Sequence, residues 1–150
     1  MLGELYKSYY GTSPESLLPL TGSASNRRYY RLESESGRCI GVEGTDSLEN
    51  KAFVTLARHF RAKGLNVPEV YALSEDGGYY IQEDLGDDIL YDRLVRARRS
   101  SEGMDEMEEL LRQTVRLLPK IQFEGAKGLD FSLCYPQPSF DRRMVMFASE

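Results

Sequence analysis

Apolar residues change their spacing several times along this 150-residue chain, and each change marks an element. Leu2, Leu5, Tyr6 and Tyr9 recur at helical spacing, and Gly11 stops the run. Leu17, Leu18 and Leu20 predict a brief strand, after which the polar loop Thr21-Gly22-Ser23-Ala24-Ser25-Asn26 intervenes. Arg27–Glu33 is rich in tyrosine and leucine suited to a pleated sheet, Ser34-Glu35-Ser36-Gly37 is turn chemistry, and Cys39–Val42 is an apolar return strand. The two strands read as an antiparallel hairpin.

Asp46 stands three residues before Glu49, the spacing of a capping box, and Leu48, Ala52, Phe53, Leu56 and Phe60 then recur every three or four residues until Gly64. This predicts the best-marked helix of the chain. A second hairpin follows, with strands at Val70–Leu73 and Tyr79–Gln82 about the turn Glu75-Asp76-Gly77-Gly78. Beyond Gly86 the pattern becomes helical. Ile89, Leu90, Leu94 and Val95 mark one helix, a charged hinge spans Arg96–Gly103, and Met107, Leu110, Leu111, Leu117, Leu118 and Ile121 mark a longer helix that Pro119 kinks or ends. A last helix is expected at Phe140–Phe147. The fold class is therefore α+β, an antiparallel sheet of about five strands with one inserted helix, and the chain divides into residues 1–86 and a helical segment at 87–150.

Composition narrows the function classes. With 41% hydrophobic residues the chain can bury one ordinary core, and a net charge of −5 argues against general affinity for nucleic acid or anionic membrane. No apolar run approaches the roughly 20 residues of a membrane span, and the N-terminus lacks the layout of a signal peptide, so a cytoplasmic protein is expected. Cys39 and Cys134 are far apart and are expected to be reduced thiols. One histidine, His59 on the long helix, and two distant cysteines exclude the usual zinc constellations and a Cys-His nucleophile pair.

Four segments carry a resemblance when taken in order: Leu20–Leu32, Glu49–Phe53, Gly64–Val70 and Ile81–Gly86. Together they resemble the N-terminal lobe of the aminoglycoside phosphotransferase and choline kinase superfamily, nearest to bacterial kinases of cell-wall amino sugars such as N-acetylmuramate and N-acetylglucosamine. The resemblance covers residues 16–95, and the rest fits as the start of a helical lobe. It implies ATP as cofactor, with magnesium expected only together with the missing catalytic lobe, and a sugar-type acceptor only in a full-length protein.

The same resemblance assigns site residues. Gly22, Ser23, Ser25 and Asn26 would present small side chains and backbone N–H groups to phosphate, although these are also ordinary turn residues. Arg28, or its neighbour Arg27, would add charge there. Gln82, Glu83, Asp84 and Leu85 would form the hinge whose main chain bonds adenine, with Val42, Ile40 and Ile81 as apolar walls. Glu49 corresponds to the helix glutamate that pairs with a strand lysine, or is simply a capping-box residue. The lysine itself is absent, since the strand reads Ile40-Gly-Val-Glu43, and Lys51 or a loop arginine would have to substitute. The acids Glu83, Asp84, Asp87 and Asp88 are read as a helix N-terminus enriched in carboxylates rather than as metal ligands.

Catalytic residues are expected to be none. Kinase chemistry needs an aspartate in an His-x-Asp loop, and His59 is followed by Phe60-Arg61. Asp130-Phe131-Ser132 is similar to a metal-binding Asp-Phe-Gly, but no catalytic loop precedes it, and we take the similarity as coincidence. The leading expectation is an N-terminal piece of a small-molecule phosphotransferase that binds nucleotide at most. The competing one is a non-catalytic kinase-like interaction module that holds a partner through its sheet or its exposed helices, where Leu111, Leu118 and Met146 would either bind that partner or drive self-association. An unrelated α+β domain is the third.

Overall fold

The computed structural model describes residues 1–21, 26–99 and 103–139. Five antiparallel strands form one sheet: β1 (Ser16–Leu20), β2 (Arg28–Ser34), β3 (Gly37–Glu43), β4 (Val70–Leu73) and β5 (Tyr79–Glu83), in the order β1-β2-β3-β5-β4. Among the described residues there are four α-helices: α1 (Leu2–Tyr10), α2 (Ser47–Ala62), α3 (Leu90–Arg98) and α4 (Gly103–Pro119). The expected α+β class, the five strands and the helix inserted between β3 and β4 are all present. The expected helix at 140–147, with Met146, lies outside the described residues.

The alternation of side chains along each strand gives the sheet two apolar faces, and one helix covers each. On one face Leu2 and Tyr6 of α1 pack with Leu32, Cys39 and Ile81. On the other, Val54 and Ala57 of α2 pack with Ile40, Val42, Val70 and Tyr80, joined by Phe53, Leu20 and Tyr29. Gly41 belongs to the α1 face, where a Cβ would lie 2.6 Å from Leu32 Cδ1 and 3.0 Å from Leu2 Cδ2, so helix and sheet approach too closely there for a side chain.

The capping box forms by half. The Asp46 carboxylate accepts from the Leu48 and Glu49 amides at 2.9 and 3.1 Å, as an N-cap should, but the Glu49 side chain turns away to an arginine described below. Gly64, at φ 72°, turns the chain out of the helix where the sequence predicts the stop.

Asn50 is the buried polar residue of this helix. Its Nδ2 donates to the Gly77 carbonyl at 2.9 Å and ties α2 to the β4–β5 turn. Replacing Asn50 with alanine leaves that carbonyl unpaired and opens a small cavity, so a loss of about 2 kcal/mol is expected. A urea midpoint within experimental error of wild type would show that the tether contributes nothing.

The helical segment differs in one respect from the sequence reading. α3 continues through Arg98, so the first three residues of the expected charged hinge at Arg96–Gly103 are helix, because Arg96, Ala97 and Arg98 are good helix formers. α4 ends at Pro119, whose ring cannot accommodate the preceding turn, and Lys120–Glu124 continues as a π-helical turn. His59 Nε2 donates to the Gly125 carbonyl at 2.8 Å and binds this turn to α2. Asp130 caps a short 3-10 turn at Phe131–Leu133, after which the Tyr135 hydroxyl donates to Asp46 at 2.5 Å.

Candidate functional site

A cleft of about 330 Å³ opens at the end of the sheet where β5 runs into the segment before α3. Its apolar wall is Leu20, Tyr29, Ile40 and Pro68, and its polar wall runs from Gln82 through Asp87. Register explains the membership. Arg31 lies opposite Ile40, and Ile40 lies opposite Gln82, so these three side chains emerge on one face of three adjacent strands.

The polar wall is held in place by a double fork. Arg31 Nε donates to Asp84 Oδ2 at 2.7 Å and Nη2 to Oδ1 at 3.3 Å, while Nη2 and Nη1 reach Asp87 at 2.7 and 3.2 Å. Arg38 Nε adds a second cation to Asp84 at 2.9 Å, and the Gly86 amide donates to Oδ1 at 2.8 Å. The Asp84 side chain is only 2% exposed. Burial pushes its carboxyl upward, but the hydrogen bonds from Arg31 and Gly86 and the charges of both arginines outweigh that, and the group is held below the usual carboxylate range. Asp87 is lowered by Arg31 in the same way.

These contacts correct the expectation that the acids serve the start of a helix. The N-cap of α3 is Ile89, with no side-chain cap, and the carboxylates answer to arginines: Asp84 and Asp87 to Arg31, Asp88 to Arg93 and Arg96, and Glu83 to Arg61. The reason is distance in sequence. Arg31 is 53 residues from Asp84 and meets it only through the β2-β3-β5 pairing.

Main-chain groups along the cleft differ in availability. Gln82 is paired in the sheet with Ile40 and Val70, and the Glu83 amide donates to the Glu69 carbonyl at 2.8 Å. The peptide groups of Asp84 and Leu85 make no hydrogen bond among the described residues, so a free peptide edge follows the strand end. Of the hinge residues expected from sequence, Gln82, Glu83, Asp84 and Leu85 all line the cleft, and the peptide groups without a partner among the described residues are those of the last two.

The apolar walls need two corrections. Val42 is fully buried beneath α2 with Val54 and Ala57 and does not line the cleft, and Ile81 projects to the opposite face, under α1. Alternation decides only the case of Ile81, which has the wrong parity; Val42 has the right parity but lies two residues further under the helix.

Arg28 is corrected as well. It sits opposite Glu43 on the α1 face, 76% exposed, with 4.0 Å between the charged groups. Glu43 likewise faces away from the cleft and accepts from the Tyr30 and Tyr79 hydroxyls at 3.3 Å each.

Arg27 has the parity of Tyr29 and Arg31. Its Nη2 is 2.9 Å from Glu49 Oε1, and its guanidinium lies 5.1 Å from the centre of the Phe53 ring, with the side chain 15% exposed. Glu49 is thus joined to a cation, as one of its two sequence readings required, but through an arginine at the mouth of the loop rather than a strand lysine. Gly22, Ser23 and Ser25 lie outside the described residues, and Asn26 is exposed beside them. Leu20, Thr21, Tyr29, Arg31, Pro68 and Asp87 line the cleft without having been expected there.

Fold and site define an α+β protein with a five-stranded antiparallel sheet and a polar-walled cleft at one strand end. Neither the protein-family models nor the curated proteins yield a match to this chain. No helix among the described residues is long and apolar enough to cross a membrane.

Proposed function

We propose that this chain is the nucleotide-binding lobe of an ATP-dependent small-molecule phosphotransferase, with an amino sugar or aminoglycoside-like acceptor bound by residues beyond those present here. The observation that carries this reading is one face of one strand. Tyr29 and Arg31 share it, and Arg27, just before the strand, lies on the same side over Phe53, with the peptide edge of Asp84 and Leu85 beside Arg31 at one end and the Arg27–Glu49 pair at the other. Four residues of extended chain separate the ends by about 13 Å, room for a base, a ribose and the first phosphates.

Bound ATP would supply the transferable phosphoryl group. The residues of this chain bind and orient it: Leu20, Tyr29 and Ile40 flank the base, Asp84 and Leu85 offer a donor and an acceptor, and Arg27, steadied by Glu49, meets negative charge beside the loop. Catalysis needs an aspartate in a setting that these 150 residues do not contain, so the chain alone is expected to bind nucleotide and transfer nothing.

A second reading, an interaction module, draws on α4. Met104, Leu111, Val115 and Leu118 are exposed along it, and Met104, Met107, Leu111 and Val115 border an open groove of about 560 Å³. Titration with Mg-ATP, followed by amide shifts with GTP as control, separates the two. Saturable shifts at Thr21–Arg27 and Glu83–Gly86 are expected. Absence of shifts at millimolar ATP would favour the module.

A further inference from the structure

Gln82 carries a feature that the nucleotide reading does not use. Its backbone is committed to the sheet on both sides, yet its side chain lines the cleft, and Oε1 is buried with no hydrogen-bond partner among the described residues. A buried acceptor left unmade is unfavourable, and one that borders a cleft points to a ligand or ordered water that completes it. We infer that Gln82 is a specificity-determining residue whose amide oxygen accepts a hydrogen bond from the exocyclic amino group of a 6-aminopurine.

The chemistry of that edge fits the surroundings. A 6-amino group has two protons, and the free peptide edge of Asp84 and Leu85 can accept one while Gln82 Oε1 takes the other. Ile40, directly opposite Gln82, closes the apolar side, so competition from water at this contact is reduced. A purine without the amino group leaves Oε1 unsatisfied, and a 6-oxo purine sets one acceptor against another. Discrimination of this kind comes from a strand side chain, where the resemblance to kinases leads one to expect main-chain groups alone.

The inference rests on the nucleotide reading of the cleft, and nucleosides without phosphate test it separately. Adenosine and purine riboside, which differ by the 6-amino group, are titrated calorimetrically into the wild-type chain and into Gln82→Met and Gln82→Glu, with ATP as a third ligand. Gln82→Met is expected to weaken adenosine about tenfold and to leave purine riboside within about twofold, while Gln82→Glu, which keeps an acceptor, restores the preference. Gln82→Met should also raise the melting temperature of the unliganded chain, since the unsatisfied acceptor is gone. Equal weakening of both nucleosides by Gln82→Met, or of neither, overturns the inference. If ATP binds no more tightly than adenosine while the Gln82 pattern holds, the phosphotransferase reading falls and the base contact stands. If none of the three ligands binds at millimolar concentration, both fall.

Discussion

Replacement of Asp84 with alanine is expected to destabilise the chain by about 3 kcal/mol, the usual scale for removing one member of a buried ion pair. Its side chain is 2% exposed and answers three donors, Arg31, Arg38 and the Gly86 amide, so its loss leaves two arginines facing each other over a cavity. For a chain of this length the melting temperature should fall by roughly 10 °C. Arg31→Ala should be strongly subadditive with it, because the two variants break the same fork.

The pH dependence has a definite sign. Both Asp84 and Asp87 are held below the ordinary carboxylate range, so in the unfolded chain they take up protons first as pH falls. Their contribution is fully present above about pH 4, the unfolded value, and is lost as pH drops through the lower folded values. Thermal melts of wild type and Asp84→Asn between pH 7 and pH 2 check this. The variant should begin less stable and lose less on acidification; parallel curves would show that Asp84 gains nothing from its arginines.

Arg27→Met carries the second large effect. On the proposed reading it should weaken Mg-ATP about a hundredfold, equivalent to one or two charge-assisted hydrogen bonds, and leave adenosine within about twofold. The asymmetry matters because Arg27 also packs on Phe53 and pairs with Glu49, and a purely structural arginine would alter both ligands alike. Paired calorimetric titrations decide it. Unchanged ATP affinity would remove Arg27 from the site, and equal loss of both ligands would make it a packing residue.

If these results hold, function depends on a fork that no local pattern announces. Arg31, Asp84 and Asp87 fix the segment between the sheet and α3, and that segment carries the free peptide edge and borders Gln82. Stability and binding would therefore share residues at this end of the sheet.

Much of the fold was legible in the sequence because its elements are locally encoded. Asp46 before Leu48 and Glu49 marks the start of α2, Gly64 its end, and the turn chemistry at Ser34–Gly37 and Glu75–Gly78 sets two hairpins; each acts within a few residues of itself. Alternation along β2 places Tyr29 and Arg31 on one face and Arg28 and Tyr30 on the other. Which face borders the cleft was decided by tertiary structure. The helix that lies over β3 buries Val42 completely and leaves only an edge of Ile40 for the cleft, the pairing of β3 with β5 brings Gln82 beside Ile40, and Asp84 reaches Arg31 across 53 residues. Parity along a strand is a property of the backbone and can be read from sequence; the partner that each face meets depends on long-range packing, which a single run of residues does not contain.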